Sequence, residues 1–150
     1  MFLNIVGQHR GDPMIRLEHA NLSVVNTDEM ERFLMSAFPD FRRRGEGKDG
    51  QGRPWRHVGN DEFYVALQTV PTNRHRAPYG NDAGLNHLGW EVDDLDALEA
   101  RMKTAGFAPN LSADDHPARN RRYFYDPDGN DWEFVQYLTD DIDERNDYSR

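Results

Sequence analysis

Residues 17–35, LEHANLSVVNTDEMERFLM, align without gaps on residues 85–103, LNHLGWEVDDLDALEARMK. Leu17 meets Leu85, His19 meets His87, Val24 meets Val92, Asp28 meets Asp96, Met30 meets Leu98, Glu31 meets Glu99 and Leu34 meets Met102. Self-similarity of this kind marks one supersecondary unit present twice. Each copy opens with strict alternation, the period of a strand whose two faces differ. In the first, Ala20, Leu22 and Val24 oppose His19, Asn21 and Ser23; in the second, Leu88, Trp90 and Val92 oppose His87, Gly89 and Glu91. Both histidines fall on the polar face.

Each strand runs into a helix signal. Asn26 or Thr27 caps the first helix, with Glu29 near its third position and Met30, Phe33, Leu34 and Ala37 recurring at helical spacing. Asp94 caps the second, Leu95, Leu98, Met102 and Ala105 form its stripe, and Gly106 ends it. Three strand candidates follow each helix, at about 40–45, 53–58 and 62–68 in the first copy and about 107–111, 120–125 and 131–138 in the second. The order is βαβββ, twice. The expected fold is therefore α+β: a single domain over 1–138, made of modules at about 15–70 and 84–138. Each module forms a curved, mostly antiparallel four-stranded sheet, and a Pro-, Gly- and Asn-rich loop at 71–83 joins them. Residues 139–150 hold five acids against two arginines and read as a mobile or peripherally docked tail.

Composition narrows the chemistry. A formal charge of −9 argues against binding to a phosphate backbone. The single basic run, Arg42 to Arg44, reads as a solvated loop rather than an anion-binding patch. Gly45 and Gly47 are not followed by a helix pattern, so a nucleotide-binding loop is not indicated. No stretch approaches the roughly 20 apolar residues of a membrane span, and the N-terminus lacks the basic start of a signal peptide, so the expected location is cytoplasmic. The absence of cysteine excludes disulfides, thiolate metal sites and cysteine nucleophiles.

If the apolar face of each sheet packs on helices, the other face is free to line a cavity. Parity then places Trp132 and Phe134 in the core and Asp131, Glu133, Val135 and Tyr137 toward the cavity. Phe63, Val65 and Leu67 are core, with Tyr64, Ala66 and Gln68 facing inward; Phe124 is core, with Tyr123 and Tyr125 inside. His19, His87 and Glu133, from three strands, are then able to converge on one wall. Two imidazoles and one carboxylate make a facial triad with open positions, suited to Fe(II), Mn(II), Zn(II) or Ni(II).

The segments LEHANLSV at 17–24, LNHLGWEVDDLDAL at 85–98 and FYDPDGNDWEF at 124–134 resemble the vicinal oxygen chelate superfamily, the glyoxalase, bleomycin-resistance and extradiol-dioxygenase group. The resemblance covers about residues 15–138, and its most specific feature is the Asp-Pro-x-Gly turn followed by the inward Glu133. It implies two βαβββ modules around a divalent metal, often in dimers that combine modules across the interface, with His19, His87 and Glu133 as ligands. Glyoxalase I-type members add a Glu or Gln from the fourth strand. The matching position here is Ala66, with Gln68 one pleat further along the same face as the alternative fourth ligand. Extradiol-type members use three ligands, with a Tyr ten residues before the Glu and a His earlier still; Tyr123 and His116 match these and are the candidate catalytic residues.

The expected function is thus a divalent-metal enzyme acting on a small oxygen-bearing substrate by bidentate chelation, as a lyase or isomerase or as a ring-cleaving dioxygenase. Gln68, Arg122, Tyr125 and Trp55 are the candidate substrate-binding residues, Arg122 through an anionic group of the substrate. The expected partners are that substrate and a second copy of the chain, with no nucleic acid and no membrane. The competing class is a metal-free binding module that sequesters a small molecule, for which His19, His87 and Glu133 have no use.

Overall fold

Alternation in the sequence becomes alternation in burial. The computed structural model describes residues 16–72, 78–81, 83–110 and 115–149. The N-terminal lead with His9, residues 73–77 and 82 of the joining loop with His75, and Leu111 of an expected strand lie outside them. The order is β1 (His19–Val24), α1 (Thr27–Ala37), β2 (Arg42–Lys48), β3 (Pro54–Gly59), β4 (Tyr64–Thr69), β5 (His87–Glu91), α2 (Leu95–Thr104), β6 (Arg119–Tyr125), β7 (Asp131–Tyr137) and α3 (Ile142–Arg145).

Asn26 caps α1, its side-chain oxygen accepting from Asp28 N at 2.9 Å and Glu29 N at 3.3 Å. Asp94 caps α2 in the same way through Ala97 N. Gly106, at φ +87, ends α2 in a left-handed turn, with Phe107 N donating to Met102 O and Gly106 N to Lys103 O. That turn delivers Phe107 edge-on to Phe33 of α1, ring centroids 5.1 Å apart.

The first sheet has the order β1-β4-β3-β2, with β1 and β4 parallel and the other pairs antiparallel. The second has the order β5-β7-β6, again with one parallel pair. The expected strand at 107–111 is replaced, among the described residues, by one bridge from Pro109 to Phe124 and a bond from Asn110 N to Tyr123 O. A proline has no N–H to give a ladder, so pairing along the outer edge of β6 does not extend. The arginine run is likewise not a loop but the start of β2.

Both sheets turn their apolar faces to one core. Val58, Val65 and Leu67 of the first sheet and Phe124, Trp132 and Phe134 of the second belong to the same cluster as Met30, Phe33, Leu34, Leu98 and Met102 of the two helices. The polar faces therefore point away from that shared core, one on each side of the molecule.

The repeat extends to its ion pairs. Glu31 of α1 accepts from Arg43 Nη2 at 2.6 Å and from Arg56 Nη1 at 2.9 Å, and its counterpart Glu99 of α2 accepts from Arg122 Nε at 2.6 Å. Glu31 is only 8% exposed, and the hydrogen bond from Arg43 holds its carboxyl below the ordinary glutamate value near 4.5. A carboxyl depressed in the folded state contributes stability that is present above that value and lost as pH falls through the folded pKa. Glu31→Gln is expected to cost roughly 2–3 kcal/mol at pH 7, because two guanidinium groups lose their shared anion. Denaturant unfolding should show the gap to the wild type closing as pH is lowered below the glutamate range; a gap independent of pH would contradict the ion-pair account.

Candidate metal centre

Glu133 is placed by the turn that precedes it. Asp126 accepts from Asp128 N, Asn130 N and Asn130 Nδ2, each at 2.9 Å, and from the Trp132 indole N–H at 3.1 Å. Gly129, at φ +84, closes the turn. Burial nonetheless pushes the Asp126 carboxyl above the ordinary aspartate value, against the lowering effect of those four donors. The turn fixes the register in which Tyr123 faces Glu133 across β6 and β7, and Gly89 faces it across β5 and β7.

On this polar face the Glu133 carboxylate accepts from Tyr123 Oη at 2.7 Å through Oε1, and its Oε2 lies 3.0 Å from His87 Nε2. Gly89 adds no side chain in front of it; a Cβ there would stand 3.8 Å from Oε2. Burial, reinforced by the neighbouring carboxylate, pushes the Tyr123 hydroxyl up to about 12. The other ring nitrogen of His87 lies 3.5 Å from the Tyr79 hydroxyl, which donates to Asp131 Oδ2; Asn110 Nδ2 donates to Asp131 Oδ1 at 2.7 Å. Tyr79 sits in the joining loop with φ 58, held by Asn86 Oδ1 accepting from its backbone N–H. Burial and Asp131 raise its pKa.

The donor set fits a divalent ion at two positions. Two donors bound cis at about 2.1 Å to one ion lie about 3 Å apart, which is the separation of His87 Nε2 and Glu133 Oε2. His19 does not join them within one chain. It lies on the first sheet, its Nδ1 beside Glu18 and its ring stacked on Tyr64 at 4.9 Å. Among the described residues no group of three or more His, Asp or Glu is gathered to hold a metal. The expected convergence fails in a single chain because the two polar faces look away from each other.

The remaining candidates separate cleanly. Tyr125 shares the face of Tyr123 and Glu133 and is 43% exposed. Gln68 and Trp55 pair across β4 and β3 on the polar face of the first sheet, with Ala66 beside His57. Arg122 does not meet its expectation: it lies on the helix side of β6, opposite Phe134, and is engaged by Glu99. His116 is buried with both ring nitrogens engaged, Nδ1 accepting from Ala118 N at 3.1 Å and Nε2 lying 3.0 Å from Asp147 O. That contact binds the C-terminal segment, where Arg145 also meets Glu91 and covers the Tyr137 ring. Tyr79 and His57 escaped sequence reasoning. Tyr79 lies in a loop 52 residues from Asp131, and His57 is the counterpart, by strand pairing, of Tyr123.

Known structures share this architecture. A glyoxylase/bleomycin resistance protein/dioxygenase domain from Frankia sp. EAN1pec superposes with a TM-score of 0.69 at 20% identity, over 86% of this chain and 96% of that one. The fosfomycin resistance protein FosX from Listeria monocytogenes, complexed with Mn(II) and sulfate, gives 0.66 at 19% identity over 88% and 98%. FosX from Mesorhizobium loti gives 0.63 at 22% identity over 88% and 98%. No curated protein sequence matches the chain. The sequence profile that does match spans residues 16–134, and by it the chain belongs to the Glyoxalase/Bleomycin resistance protein/Dioxygenase superfamily.

Proposed function

We propose that the protein is a divalent-metal enzyme whose site is completed by a second copy of the chain. His87 and Glu133 supply two ligands and His19 of the second copy the third; Fe(II), Mn(II), Zn(II) and Ni(II) all suit such a set. The observation that carries this reading is the cis spacing of His87 Nε2 and Glu133 Oε2 on an open polar face. The Mn(II) held by the Listeria FosX supports it. When bound, the ion supplies Lewis-acid stabilisation of negative charge on two adjacent substrate oxygens. Glu133 is held in place by Tyr123, whose hydroxyl donates to the carboxylate. Asp131, through Tyr79, orients the far side of the His87 ring. His116, committed to backbone groups, is not assigned a proton-transfer role.

Ala66 stands where a fourth protein ligand would otherwise come from, and Gln68 lies alongside Trp55, one pleat away. A three-ligand centre keeps positions for both substrate oxygens and one further ligand, which favours ring cleavage of a vicinal diol over isomerisation. The test is anaerobic Fe(II) loading followed by catechol and then O2, beside a hemithioacetal assay with Ni(II) or Zn(II). Ring-opened product with the first and no turnover above free metal with the second is expected. Hemithioacetal turnover without ring opening would overturn the assignment.

A further inference from the structure

The run Arg42-Arg43-Arg44 resolves in β2 into three different fates. Arg42 is paired with Asp61, and Arg43 with Glu31 and Glu46. Arg44 sits at the irregularity in the β2–β3 register and turns to the polar face, its guanidinium carbon 4.5 Å over the Tyr64 ring. No carboxylate among the described residues pairs with it, in a chain of formal charge −9 where Arg53, Arg56, Arg122 and Arg145 each have an acid.

Beneath Arg44 lies a continuous row of flat side chains. His19 stacks on Tyr64 at 4.9 Å and 15°, Tyr64 meets His57 at 4.7 Å, and His57 meets Trp55 at 5.1 Å. Gly47 makes room for the indole: a Cβ at that position would come within 2.8 Å of the Trp55 ring. The row starts at His19 and crosses β4 to β3, with the Arg44 guanidinium over its Tyr64 member.

We infer that this row and Arg44 form a binding site for a planar organic anion of the aryl carboxylate class. The ring packs on the outward edges of Tyr64, His57 and Trp55, whose faces meet one another, and the carboxylate is held by the Arg44 guanidinium. Stacking provides area without sequence or charge preference, while a guanidinium fork selects a carboxylate. This deepens the metal-enzyme reading, since it rests on His19 marking the metal end of the substrate, but the site itself consists of side chains alone.

The test therefore uses metal-free protein in chelator, so that failure of the metal reading and failure of this one are told apart. Benzoate and its neutral isostere benzamide are titrated into the full chain, with tryptophan fluorescence and calorimetry as readouts. Benzoate is expected to bind about five- to tenfold more tightly. Arg44→Gln should erase that preference, Arg42→Gln should keep it, and Trp55→Phe should weaken both ligands and remove most of the fluorescence response. Equal affinities in the wild type, no binding of either ligand, or an unchanged preference in Arg44→Gln each overturn the proposal. A loss of dimer in Arg44→Gln with the preference intact would make the arginine an interface group and overturn it as well.

Discussion

Glu133→Ala is expected to lower metal affinity by more than the roughly 100-fold that loss of an outer-sphere partner costs, because in the proposed centre it removes a direct anionic ligand. The same substitution should leave folding nearly untouched. Glu133 is half-buried beside His87, and its neighbours Trp132 and Phe134 keep their places on the other face of β7. Tyr123 loses an acceptor at 2.7 Å and His87 Nε2 a neighbour at 3.0 Å, both on the polar face of the sheet. Metal titration followed by thermal unfolding separates the two effects. A variant that binds metal as tightly as the wild type would remove Glu133 from the site, whereas one that fails to fold would make the carboxylate structural. Glu133→Gln refines the comparison, since it preserves an acceptor for Tyr123 while removing the charge.

Trp132→Ala should do the reverse and destabilise the chain by about 3–5 kcal/mol, the cost of deleting a large aromatic from a packed core. Trp132 is 1% exposed, lies parallel to Trp90 at 5.9 Å and meets Phe33 of α1 at 5.5 Å. It thus joins both modules, and the cavity left by the indole is bounded by rings that cannot collapse far. Its N–H also donates to Asp126, the buried acid that organises the turn. At roughly 2–4 °C per kcal/mol for a chain of this size, the midpoint should fall by about 6–20 °C. Trp132→Phe restores most of the hydrocarbon but not the N–H, and should cost about 1–2 kcal/mol. Thermal or denaturant unfolding of the pair checks both figures; a loss below about 1 kcal/mol in Trp132→Ala would contradict the packing account.

The repeat, the helices and the opposed faces of Trp132 and Phe134 against Glu133 in β7 were legible because period-two and period-3.6 patterns report burial directly. The polar-face positions of His19, His87 and Glu133 were legible for the same reason: each is a polar residue on a strand whose alternate positions are apolar. Alternation names a face, however, and says nothing about where the faces of two sheets point. The shared core turns them apart, and that depends on how α1 and α2 pack between the sheets, a contact between residues distant in sequence. Arg122 was readable and misassigned, since the parity that puts Tyr123 and Tyr125 on the polar face puts Arg122 with Phe124. Its link to Glu99 repeats that of Arg56 to Glu31, a pairing the alignment of Glu31 with Glu99 already hinted at. The sixth expected strand gave way to Pro109, whose missing N–H stands plainly in the sequence. Tyr79 left no signal, because a single residue at φ 58 in a loop has no period to read.

If one metal site draws on two chains, mixed dimers reveal it. Chains carrying His19→Ala and chains carrying Glu133→Ala, each unable to build a complete site, are co-expressed or refolded together and their metal content is measured. One intact site is expected in each mixed dimer, so that roughly a quarter of the wild-type metal capacity returns in an equimolar mixture although neither variant alone binds. A mixture as empty as its components would contradict it.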